Sequence, residues 1–317
     1  MSNKIGGFSK LGSISQTVAG FYDCLNGEKS RHRLEYLFVR LAVAGFLLHL
    51  ALILFNRTAP DLAARLIPGI GFNFLQAVYT PFSFILFYEV LLLVLALPRS
   101  FTTSICKQYE IISLIVVRRV FKDIGSFEDF DSWLTQTDAV RVVLFDMGGA
   151  LLMFLAVTLI YRIRKTVSKT VSKTTGPAKL AGFIQLKKMI AILLGSVLIL
   201  FAAGNVVFWL ASVFPAAVNF SVGAKDMDKF FFPAFFEFMI FTDVFLLIVS
   251  ISYYDRYEYL FRNSGFVIST VLLRISLSSP KPYDLAISLI SIFYGLGLIS
   301  IFAFYTKVSA SPEKPSV

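Results

Sequence analysis

Charge is scarce in this chain. Asp, Glu, Lys and Arg make up 16% of its 317 residues, where a soluble domain carries about a quarter. Cysteine and histidine are nearly absent, with two of each. Cys24 and Cys106 are too few for a disulfide scaffold, and both fall on the side assigned below to the cytosol, where thiols stay reduced. The opening stretch MSNKIGGFSKLGSISQ lacks an apolar core before a small-residue cleavage site, so no cleaved signal peptide is expected. No phosphate-binding glycine loop, GxSxG elbow, HExxH helix, CxxC pair or dinucleotide glycine fingerprint occurs. The loops offer no recognisable nucleophile, metal cluster or paired carboxylates. The chain therefore reads as a non-enzyme, and no cofactor is expected.

Apolar residues are what the chain has instead. They form 56% of the sequence, 34 of them phenylalanine, and the mean hydropathy is +0.74. That composition suits a lipid bilayer as the main partner. A spanning helix needs about 20 mostly apolar residues. Strong candidates lie at 36–55, 78–97, 142–161, 189–213, 231–251 and 284–306, and two weaker ones carrying charges lie at 104–121 and 259–277. The expected fold class is an all-α polytopic membrane protein with about eight transmembrane helices.

The net charge of +10 could suggest nucleic acid. The placement of the bases excludes that reading. Lysines and arginines gather in the segments that face one side if the N-terminus and C-terminus are both cytoplasmic, and the other side holds about half as many. The loop RIRKTVSKTVSKTTGPAK (162–179) has no acid at all. It reads as a topology anchor and flexible linker, with anionic lipid as its alternative partner. Ahead of the first span, Ile14, Val18, Phe21, Tyr22 and Leu25 share one helical face, which predicts a helix lying on the inner membrane surface.

The chain also repeats itself. FILFYEVLLLV (84–94) aligns with FMIFTDVFLLIV (238–249), which puts Glu89 on Asp243. ISLIVVR (112–118) aligns with ISTVLLR (268–274), which puts Arg118 on Arg274. The flanking spans correspond as well. This predicts a cytosolic tail (1–35), a four-helix membrane repeat (36–165), a basic cytosolic linker (166–187), a second repeat (188–307) and a second tail (308–317). Each copy would enter and leave on the same side, so the two are related by an axis along the membrane normal.

These residues carry a resemblance. The pattern F-x-E/D-x-x-x-L, then I-S/T-x-I-V-x-R, then P-x-D opening a last helix, resembles the phosphate-starvation-inducible PsiE family of small bacterial inner-membrane proteins. The second copy matches through Asp243, Ile268 to Arg274, and SSPKPYDLAIS (278–288). The first keeps Glu89 and Ile112 to Arg118 but continues into a longer acidic loop, GSFEDFDSWLTQTD. Since PsiE proteins resemble a single unit, this chain looks like a tandem form. The resemblance implies a bacterial inner-membrane location and a stress-response or assembly role, and it carries no established biochemical activity.

Five charges inside the predicted spans are the candidate site: Glu89, Arg118, Arg119, Asp243 and Arg274. A bare charge at mid-helix costs about 2.5–3.5 kcal/mol on insertion scales. Pairing each acid with the arginine of the following antiparallel span removes that cost. Such pairs either fix helix register or line a polar path, in which case the chain is a small-ion channel or transporter. Asp146 and Glu237 add two more membrane acids. His49 stands in the first span with no second histidine at ligand spacing, so a metal or haem role is not expected. Gly148, Gly149 and Ala150, and Gly295 with Gly297, read as close helix contacts, either between the copies or within one unit. A homo-oligomer stays open.

Overall fold

The computed structural model describes residues 16–66, 74–125, 137–171, 177–213, 227–253 and 257–310. Among these residues the structure is helical throughout, with no strand. In lipid every backbone N–H and C=O must find a partner within its own segment, and a helix provides that. The elements are α1 (16–26), α2 (Glu28–Thr58), α3 (Pro60–Leu66), α4 (Leu75–Ala96), α5 (Phe101–Gly125), α6 (Thr137–Val171), α7 (Pro177–Val213), α8 (Met227–Ile251), α9 (Tyr257–Ser278) and α10 (Tyr283–Ala310).

Six stretches are long and apolar enough to cross a bilayer: Glu28–Thr58, Val140–Lys165, Ala181–Gly204, Pro233–Ile251, Tyr257–Ser278 and Tyr283–Thr306. The weak span at 259–277 is among them. The difference from the expected count lies in α4 and α5. In α4 the apolar stretch that qualifies is the shorter Thr80–Ala96. In α5 the sequence carries Lys107, Glu110, Arg118, Arg119, Lys122 and Asp123, which dilutes its hydropathy. The protein is a multi-pass, all-helical membrane protein on this ground.

Helix boundaries also differ from the hydropathy boundaries. α2 starts at Glu28, inside the stretch read as tail, and α6 and α7 run into the stretch read as linker, as far as Val171 and from Pro177. Charged and polar residues such as Lys29, Arg31 and Arg33 are good helix formers, so the helix continues where the lipid-facing run stops. Of the predicted surface helix, α1 is present. Tyr22 is buried and its hydroxyl donates to the Leu95 carbonyl at 2.6 Å, while Phe21 is exposed. Ile14, the basic residues before it and most of the acidic loop after α5 lie outside the described residues.

The bundle runs as a chain of neighbours. α2 lies on α4, α4 on α5 and α5 on α6; then α7 on α8, α8 on α9 and α9 on α10. Across the middle, α6 meets α10, α5 meets α9 and α4 meets α7. The proline in the second turn of α4 (Pro81) recurs at the same place in α8 (Pro233). The core is a continuous apolar cluster drawn from both halves, including Leu93, Ile112, Met153, Leu198, Met239, Phe266, Leu273 and Ile292.

Side-chain contacts gather one set of helix ends together. Arg164 of α6 donates to Thr103 of α5 at 3.0 Å, Lys188 of α7 meets Asp23 of α1 at 2.6 Å, and the Phe183 and Tyr253 rings lie 5.1 Å apart. This end holds Arg99, Lys107, Arg164, Lys187, Lys188 and Arg262. At the opposite end Phe82 stacks on Phe121 at 4.9 Å, and Lys281 reaches Asp146.

Small residues set the closest crossings. A Cβ on Gly149 of α6 would overlap the Leu285 side chain of α10, and one on Gly295 of α10 would overlap the Tyr109 hydroxyl of α5. Both contacts join the first half of the chain to the second. Gly148 and Gly297 face open space within 4 Å.

Candidate functional site

Asp243 and Arg274 form an ion pair at the centre of the bundle. They are 5% and 1% exposed. The Arg274 guanidinium donates through Nη1 to the Asp243 carboxylate and to the Met239 carbonyl (2.7 Å), and through Nη2 to Gln108 Oε1 (3.3 Å). Thr270 donates to the same Asp243 oxygen at 3.0 Å, and Gln108 donates to Ser104 at 3.2 Å. The local geometry is simple. Met239 and Asp243 are four apart on α8, Thr270 and Arg274 four apart on α9, and Ser104 and Gln108 four apart on α5, so each helix presents its pair on one face. Removing two charges from water costs several kcal/mol per ion, and only full hydrogen bonding offsets it. Here groups from three helices hydrogen-bond the two ions.

Beside this pair lies Lys187 of α7, 3% exposed. Its ammonium donates to the Arg99 carbonyl at 3.3 Å and sits over the Phe101 and Phe183 rings at 4.0 and 4.8 Å. Ser104, Gln108, Lys187, Asp243 and Thr270 line a cavity of about 20 Å³ together with Leu97, Phe101, Ile105, Leu246 and Val267. That volume admits about one water-sized sphere.

Glu89 and Arg118 form the second ion pair, between α4 and α5. Its surroundings are poorer. Glu89 is buried at 3%, and among the described residues neither carboxylate oxygen accepts a hydrogen bond beyond the charge contact with Arg118. The Arg118 side chain is 25% exposed. Part of the difference is in the sequence: the position that aligns with Thr270 is Leu114, which has no hydroxyl to donate. The side chain of Arg119 lies outside what is described.

The remaining sequence candidates separate. Asp146 of α6 is buried and bonded to Lys281 at 2.7 Å, a third charged contact, which ties the α9–α10 turn to the first half. His49 of α2 is bonded through Nδ1 to Thr80 of α4 at 2.5 Å. Glu237 is exposed on α8. Among the described residues no group of three or more His, Cys, Asp or Glu side chains is placed to hold a metal ion. Cys24 is exposed, Cys106 is buried, and both are free thiols. Outside the spans, burial pushes the Tyr22 phenol up to about 12.

Sequence reasoning missed Gln108, Thr270, Lys187 and Lys281. Ser104 and Gln108 stand at helical spacing in a charged span, a signal that was present. Lys187 looked like one more member of the basic cluster, and nothing local separates it from its half-buried neighbour Lys188. A serine ladder was missed too. Tyr109 meets Ser269 at 2.5 Å, Ser269 meets Ser291 at 3.0 Å, and Ser276 meets Ser288 at 2.6 Å, joining α5, α9 and α10.

Fold and site define a multi-pass helical membrane protein with charged pairs held between its helices. The chain matches no family model, no curated protein and no solved structure.

Proposed function

We propose that this is a non-catalytic integral membrane protein, a tandem PsiE-like chain of two parallel four-helix repeats with eight crossings, whose role is assembly or stress response in a bacterial inner membrane. The reading takes α4 and α5 as crossings despite the short apolar stretch of α4 and the charges of α5, because the pairs Glu89–Arg118 and Lys107–Glu110 offset part of what those charges would cost in lipid. N- and C-termini face the cytosol in this reading, since the arginine- and lysine-rich helix ends gather at one end of the bundle.

One observation carries the choice against a channel: the Arg274 guanidinium is held inside the protein by Met239, Asp243 and Gln108, and its side chain is 1% exposed. A guanidinium held this way fixes the register of α8 on α9 and of both on α5. It does not present itself to a moving ion.

A double-mutant cycle tests this. Asp243→Asn and Arg274→Gln should each lose about 3–5 kcal/mol by stranding a buried partner, read as denaturant unfolding in micelles. The double change should recover at least half of that. Additive losses would refute the clamp, and ion flux in reconstituted vesicles that vanishes in the folded double variant would favour the small-ion channel or transporter.

A further inference from the structure

The two acid–arginine pairs occupy equivalent positions and are not equivalent in kind. Asp243 has Arg274 and Thr270 on it, and Arg274 is tied to two further groups on α8 and α5. Among the described residues Glu89 pairs with Arg118 alone, and Arg118 with Glu89 alone. Both arginines lie within two turns of a helix end, but Arg274 is sealed, whereas the Arg118 side chain is a quarter exposed. A long arginine stem near a helix end can carry its head out to the membrane interface, where water and lipid phosphates receive it. Arg274 has no such alternative. A buried carboxyl that loses its counter-ion cannot stay charged in apolar surroundings; it takes a proton.

We infer that Glu89 is a proton-binding site of this protein: its carboxylate either pairs with Arg118 or takes up one proton as Arg118 turns outward, while Asp243 stays locked to Arg274. The balance is simple. One proton enters from water, the carboxylate becomes a carboxylic acid, and Arg118 keeps its charge and exchanges one anionic partner for another. Among the described residues no other charged side chain forms an ion pair with Glu89. Among the described residues of α5, Arg118 faces Glu89. On α2, Glu35 and Arg31 act on the neighbouring Tyr88, and His49 is taken by Thr80. On α7, Lys187 is turned to Phe101 and Phe183. On α1, Asp23 is held by Lys188. The inference stands apart from the clamp role of Asp243 and Arg274, and its failure would leave that cycle untouched.

Dicyclohexylcarbodiimide is an apolar probe for such a carboxyl. The acid O–H adds across one C=N bond, and the O-acylisourea rearranges to an N-acylurea, so the peptide gains the whole reagent. On the full-length protein in lipid nanodiscs, labelling located by peptide mass should be about tenfold higher at Glu89 than at Asp243 near pH 5, and should fall as pH rises to about 9. Arg118→Gln should raise the labelling at neutral pH. Infrared difference spectra between the same pH limits give a reading that needs no reagent access. They should show a protonated-carboxyl C=O band that Glu89→Gln removes and Asp243→Asn leaves. Equal labelling of the two acids, or no acid band assigned to Glu89 at any pH, would overturn the inference.

Discussion

At the scale of the residue, Lys187 is the least expected feature of the molecule. Its ammonium is buried near a carboxylate, but the charge of Asp243 is already balanced by Arg274. Lys187 is therefore a surplus cation, held by one carbonyl and two aromatic faces that supply about 0.5–2 kcal/mol. Replacing a buried charge with an apolar group of similar length is often neutral or stabilising. Lys187→Met should thus leave the unfolding midpoint unchanged or raise it, whereas Lys187→Ala should lower stability by about 2 kcal/mol or more through the space it opens between Phe101 and Phe183. Thermal unfolding in detergent measures both, and a large loss in the methionine variant would mean that the positive charge itself is required.

Among the elements, the glycine contacts decide how close the two halves come. Gly295→Ala should destabilise by about 1–3 kcal/mol, because the new methyl meets the Tyr109 hydroxyl in a full interior. Tyr109→Phe removes the clashing oxygen and should restore part of that loss, at the expense of the bond to Ser269. No coupling between the two changes would show that the Tyr109 side chain does not reach Gly295. The sequence made part of this legible. Recurrence of Glu89 with Arg118 and of Asp243 with Arg274 pointed to the two pairs, since a charge in lipid must find an opposite one. Gly149 and Gly295 marked close crossings, though not their partners Leu285 and Tyr109. Gln108 and Lys187 were invisible because their roles depend on helices that lie far away along the chain. The helices run past the hydropathy bounds to Glu28 and Val171, because hydropathy marks where lipid begins and a helix does not stop there.

For the whole molecule, the firm statement is a helical bundle with six stretches of spanning length, and the two further crossings are the testable part. A reporter fused at residue 174 and another at the C-terminus should both read cytosol under the eight-crossing reading. Opposite readings would remove one of α4, α5 and the second-half crossings from the bilayer, and with it the parity of the repeat. The two halves are also not mirror copies in how they meet. α7, the opening helix of the second half, rests on α4 as well as on α8, and Lys187 reaches back to the carbonyl of Arg99. The corresponding opening helix of the first half, α2, lies on α4 of its own unit. Chains emerge from the ribosome N-terminus first, so α7 arrives at a docking surface that has already been made, and it does so before α8 exists to hold it. The contact of α7 with α4 is therefore one that the order of synthesis makes available before α8 is complete.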